Sequence, residues 1–106
     1  MKNERFQILY TPLAYEDLDE MDTYISETLF NSQAAEKIME EIEKSISQLE
    51  QFPDIGSEVA DPHLSRKGYR KLVVNNYLIF HLINAEQKQV IIMRVLYGAR
   101  EYHNLL

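Results

Sequence analysis

The sequence predicts an α+β domain of order β-α-α-β-β-β with a short C-terminal helix or tail. Its expected form is a helix hairpin packed on a mainly antiparallel four-stranded sheet. Three observations carry this. Two segments, 12–29 and 32–52, repeat apolar residues at spacings of three and four, with almost nothing between them. Three later runs within 69–97 are short, rich in β-branched and aromatic residues, and separated by turn formers. One similar run, 5–10, precedes the helices.

Residues 5–10, RFQILY, read as the first strand. Thr11 then supplies an N-cap and Pro12 the first helical position, where its missing N–H costs nothing. Ala14, Leu18, Met21, Ile25 and Leu29 form one apolar stripe. Glu16, Asp17, Asp19, Glu20 and Asp22 crowd the early turns and read as a solvated face favoured by the helix dipole. Asn31-Ser32 interrupts the pattern and caps a second helix. Ala35, Ile38, Ile42, Ile46, Leu49 and Phe52 give its stripe, and Pro53 its end. Lys37 with Glu41, and Glu40 with Lys44, place opposite charges four apart on the wet side. So short a connection makes the helices antiparallel neighbours.

Residues 53–68, PDIGSEVADPHLSRKG, read as irregular, and a loop of that length in a small domain is often functional. Tyr69–Val74 and Tyr77–Ile83 flank Asn75-Asn76, a dipeptide that tolerates positive φ and predicts a tight hairpin. Gln89–Tyr97 is the last strand, and Gly98 breaks it. The chain of 106 residues and 12.5 kDa is read as a single domain, 1–106.

The net charge of −6 conceals an asymmetry. Residues 1–62 hold 4 Lys+Arg against 15 Asp+Glu, and residues 63–106 hold 7 against 2. The surfaces therefore suit different partners. Cysteine is absent, which excludes thiolate catalysis, disulfides and cysteine-ligated metal. His63, His81 and His103 are too scattered for a zinc site, and the glycines are isolated, so no metal or other cofactor is expected. No window approaches the roughly 18 apolar residues of a membrane span, and MKNERFQILY lacks an apolar signal core. The expectation is a cytoplasmic protein with no membrane partner.

The chemistry-bearing residues gather in the C-terminal part. Arg66, Lys67, Arg70 and Lys71 lead into the hairpin. Arg94 interrupts the apolar run VIIMRVL, where it is either one half of an ion pair or the anchor of an anionic site. Tyr97, Arg100, Tyr102 and His103 follow. Tyr and His exchange protons and Arg holds phosphate, so Arg94, Arg100, Tyr102 and His103 could support metal-free RNA cleavage. Tyr and Arg also dominate binding hot spots, so Arg70, Lys71, Arg94, Tyr97, Arg100 and Tyr102 could equally bind a target or partner.

The segments FPDIG (52–56), YRKLVVNNYLIFHL (69–82) and VIIMRVLYGAREY (90–102) resemble the RelE/ParE toxin superfamily of type II toxin–antitoxin systems. The resemblance implies a growth-inhibiting toxin, often a plasmid-stabilisation element, held inactive by a cognate antitoxin. Operator DNA would be reached only through that antitoxin. RelE-like members cleave mRNA on the ribosome, using basic residues along the first meander strand and an arginine after the tyrosine of the second. Here Leu72, Val73 and Val74 follow Arg70 and Lys71, and Leu78 follows Tyr77. The ParE-like branch, associated with DNA gyrase, is therefore the closer resemblance. A RelE-like nuclease acting on ribosome and mRNA, or a degenerate non-toxic relative, are the alternatives.

Overall fold

The computed structural model describes residues 5–98, 102, 105 and 106. Strand β1 is Gln7–Tyr10, helix α1 is Pro12–Thr23, and α1 runs on into a π-helical turn, Tyr24–Thr28. Helix α2 is Ser32–Ser47, followed by a 3₁₀ turn at Gln48–Glu50. Strand β2 is Ser57–Glu58, helix α3 Pro62–Arg66, β3 Arg70–Val74, β4 Tyr77–Asn84 and β5 Gln89–Tyr97. The sheet order is β1-β5-β4-β3-β2, parallel only between β1 and β5.

The α+β arrangement matches the sequence expectation, with one strand and one short helix more. Both lie in the segment read as irregular. A two-residue strand shows no periodicity, so β2 left no signal. Helix α3 did carry one: Asp61 precedes Pro62, and its Oδ1 accepts from the His63 and Leu64 N–H groups. Its Leu64 is fully buried.

Thr11 caps α1 as expected, its Oγ1 accepting from Ala14 N at 3.0 Å. The stripe holds through Ala14, Met21 and Ile25, all buried. It fails at Leu29, which is half exposed. In the π turn the Leu29 N–H reaches back five residues to Tyr24 O, and the wider turn rotates Leu29 off the stripe. Phe30 follows at φ +53° and 89% exposed. In α2 the buried residues are Ala35, Ile42 and Ile46, and Leu49 is buried in the 3₁₀ turn. Phe52, expected on this stripe, is exposed because the chain has left α2 by then.

The hairpin covers one sheet face through Leu72, Val74, Ile79, Val90, Ile92 and Val95. The opposite face has its own smaller core, in which Val59, Leu64 and Tyr69 pack on Phe80 and Leu96, with Tyr102, Leu105 and Leu106 against them. Burying one face of a strand such as β4 normally leaves the other wet; two cores explain why β4 and β5 are apolar almost throughout.

Asn75 does adopt positive φ, +54°, at the β3–β4 turn, and its side-chain amide donates to Glu41 of α2. Gly56, at φ +92°, is required for a second reason. A Cβ there would lie 2.4 Å from the Lys71 carbonyl oxygen.

Candidate functional site

Strand β1 pairs with β5 only from Gln89 to Ile92. Beyond Ile92 the edge of β5 needs other partners, and the start of α1 supplies them. The Thr11 N–H donates to Ile92 O, and its hydroxyl to Met93 O at 2.9 Å. Six residues on, Asp17 Oδ2 accepts the Val95 N–H at 2.9 Å. Helix α1 thus continues the ladder where β1 stops.

The same carboxylate binds Arg94. Nε donates to Oδ2 and Nη2 to Oδ1, each at 2.8 Å, a fork on a carboxylate. Met93 has no partner in the register, because His81 faces Ile92 and Phe80 faces Arg94. Such a bulge redirects the neighbouring side chain. Arg94 Nη1 also donates to Leu105 O at 3.1 Å, tying the C-terminal residues to α1. The Asp17 bond holds the Arg94 guanidinium charged more firmly still, against the opposing effect of burial.

This corrects the reading of Asp17 as part of a wet acidic face, since it is only 7% exposed. A signal was present. Asp17 falls three residues after Ala14 and four before Met21, on the apolar stripe itself, and a lone Arg in an apolar strand calls for a carboxylate partner.

The other expected site residues lie in separate surroundings. Arg70 Nη2 donates to Asp54 O at 2.7 Å and Gly56 O at 3.4 Å, clamping the loop before β2. Lys71 is half-buried. Tyr97 is 48% exposed and meets Tyr77 edge-on, with ring centroids 5.7 Å apart. Tyr102 is half-buried, with its ring 4.9 Å from that of Phe80. Arg100 and His103 lie outside the described residues. Arg94, Tyr97 and Tyr102 therefore do not converge on one point. Arg94 meets Asp17, Tyr97 meets Tyr77, and Tyr102 meets Phe80.

What does converge is an apolar groove of about 690 Å³ between the hairpin and the end of the sheet. Met21, Tyr24, Ile25, Ile38, Tyr77 and Tyr97 line it, with Glu20 at its rim. Burial, and then the neighbouring Tyr97 and Tyr24, push the Tyr77 phenol up, so it stays neutral. Tyr24 and Tyr77 were not singled out from the sequence, because each reads as ordinary core there. His81 is fully buried on β4, opposite Arg70 in the register. Burial foremost lowers its pKa. Among the described residues, no three His, Asp or Glu side chains cluster as metal ligands would. No helix among them is long and apolar enough to cross a membrane.

Residues 8–102 match the family model described as the ParE toxin of the type II toxin–antitoxin system, parDE. Solved structures share the fold, among them two toxin–antitoxin systems. The chromosomal ParDE system of Pseudomonas aeruginosa aligns with a TM-score of 0.70 at 19% identity, over 89% of this chain and 97% of that one. The RelBE2 toxin–antitoxin complex of Mycobacterium tuberculosis aligns with a TM-score of 0.61 at 18% identity, over 93% and 98%. No curated protein matches the chain.

Proposed function

This chain belongs to the ParE toxin family of type II toxin–antitoxin systems, and from that premise we propose that it inhibits DNA gyrase by binding it, without catalysing a reaction. The observation that supports a non-catalytic action is the engagement of Arg94. A nuclease would need that guanidinium free to meet developing charge on a phosphate. Here both prongs of the fork are spent on Asp17, and the third nitrogen on Leu105 O. Arg94 is a positioning residue in this reading. It fixes α1 against β5 and anchors the C-terminal residues.

Charge supports the same choice. The helix hairpin lies within the acidic part of the chain, which is a poor surface for entry into the polyanionic ribosome. Both gyrase and ribosome are cytoplasmic, so the toxin acts in the cytoplasm. A cognate antitoxin silences it, laying an amphipathic helix in the groove lined by Ile25, Ile38 and Tyr77. Target contacts then fall to Lys71 and Tyr97, and to Arg100, which the sequence places beyond β5.

Titrating the purified chain into a gyrase supercoiling assay tests this, with loss of supercoiling expected. No inhibition at toxin excess, together with cuts in mRNA only when ribosomes translate it, would overturn the proposal in favour of the RelE-like reaction. Normal growth on induction without antitoxin would point instead to a degenerate relative.

A further inference from the structure

We propose that the tip of the helix hairpin, Phe30 with Leu29 and Tyr24 before it, grips a basic surface of the target protein, the Phe30 ring entering an apolar pocket ringed by Lys and Arg. The inference rests on the gyrase reading for the partner's identity, but the tip and its chemistry are properties of this chain.

The backbone of the tip is specialised. Helix α1 widens into the π turn Tyr24–Thr28, and the Asn31 N–H closes the end by reaching back to Ile25 O at 3.1 Å. Phe30 lies inside that closure at φ +53°. A left-handed position at a helix end suits glycine or asparagine, which meet little steric cost there. Here it holds a bulky ring that is 89% exposed. Leu29 and Tyr24 are each more than half exposed. A ring that strains the backbone and buries little does not serve the fold it sits on. Strain of this kind gathers at binding sites, and so do π turns.

Charge defines the partner. Residues 12–36 hold seven Asp and Glu and no Lys, Arg or His. Asp17 is taken by Arg94, but Asp22 and Glu27 are exposed, and among the described residues neither has an ion-pair partner. The end of a helix favours a cation, because its last carbonyls carry partial negative charge. The π turn that ends this run carries Glu27 and no basic residue. The negative potential at the tip is therefore left for a partner to neutralise. Nucleic acid and anionic lipid are repelled by it. A DNA-binding enzyme is the complement, since it neutralises phosphates with Lys and Arg. Such cations meet the carboxylates of Asp22 and Glu27 and also stack on the exposed aromatic faces of Phe30 and Tyr24. These contacts add to those of Lys71 and Tyr97.

The test measures binding of the full chain to purified gyrase by biolayer interferometry. Phe30→Asn fits the left-handed position, so the melting midpoint should not fall, while affinity should drop about tenfold or more. Phe30→Trp restores a ring and should keep the affinity. Asp22→Lys combined with Glu27→Lys should weaken binding and flatten its salt dependence. Leu13→Ser, at a half-exposed apolar position near the start of α1, should change nothing. Unchanged affinity in Phe30→Asn, or a midpoint that it lowers, would overturn the proposal, making the ring idle or structural. An equal loss in Leu13→Ser would overturn it as well, reducing the tip to non-specific apolar attraction. So would a wild-type dimer that Phe30→Asn dissociates, which assigns the tip to a second copy, or a variant that loses the antitoxin but keeps gyrase. A wild type that does not bind gyrase would sink the gyrase reading alone, and growth on induction without antitoxin then decides the tip. Toxicity lost in Phe30→Asn and in the charge-reversed variant, yet kept in Leu13→Ser, would leave the grip standing on another basic target. Equal toxicity in all of them, or none in the wild type, would overturn it.

Discussion

Asp17 and Arg94, 77 residues apart in the chain, form the joint between α1 and β5. One carboxylate satisfies a guanidinium fork and a strand-edge N–H together. Removing it leaves three N–H donors unsatisfied, two on Arg94 and one on Val95.

Asp17→Ala should destabilise the fold by about 3–5 kcal/mol, because Arg94 is left charged, nearly buried and unpaired. Asp17→Asn keeps an acceptor for Val95 and should cost less. Arg94→Met in the Asp17→Ala background should recover much of the loss, since neither partner is then stranded. Urea unfolding of the four proteins measures this. A change below about 0.5 kcal/mol for Asp17→Ala would show the joint to be energetically idle.

Stability should fall on acidification through His81. Burial lowers its pKa in the folded state. Below the unfolded value of about 6.5 the unfolded chain binds a proton that the folded chain resists. The contribution is therefore intact above about pH 6.5 and lost progressively as pH falls toward the depressed folded value. His81→Leu removes this component. Comparing unfolding free energies between neutral and mildly acidic pH should show a shallower slope for the variant. Equal slopes would mean that His81 protonates in place.

Phe30 adopts a left-handed conformation at φ +53° while almost wholly exposed. A bulky side chain there costs about 1–2 kcal/mol, and little burial offsets it. Phe30→Asn should therefore raise stability by about 0.5–1 kcal/mol, as Asn tolerates this region. Thermal unfolding reads it directly. A lowered midpoint would reveal a contribution from the aromatic ring.

Gly56→Ala should do the reverse. It combines φ +92° with a Cβ 2.4 Å from the Lys71 carbonyl. Something on β3 or in the Arg70-clamped loop must move. The expected loss is about 2 kcal/mol or more, beyond the ordinary range for a glycine-to-alanine change that fits. Hydrogen exchange should localise the change to Ser57–Glu58 and Lys71, and an unchanged pattern there would refute the clash.

Much of the fold was legible in the sequence because its signals are local. Thr11-Pro12, the α2 stripe, Asn75-Asn76 and the apolar runs of β4 and β5 each declare themselves within a few residues. The site was less legible because its relationships are not local. Arg94 was singled out, but its surroundings depend on a helix 77 residues earlier, and Asp17 looked like one acid among five. The π turn that exposes Leu29 leaves no trace in a stripe counted at helical spacing. Two residues of β2 are too few to show alternation.

The parallel pairing of β1 with β5 has a consequence for how the chain comes to be folded. Gln7 waits for Gln89, and Asp17 for Arg94, so the central joint closes only when nearly all of the chain exists. At about 5–20 residues per second, the partners of the first strand emerge roughly 4–16 s after it. Until then β1 and the hairpin have no sheet to bury against. Such dominance of distant contacts makes for slow folding. It also means that a prematurely terminated translation product, lacking β5, has no partner for β1 or Asp17 and leaves the hairpin's apolar stripe for the cell's quality control to recognise.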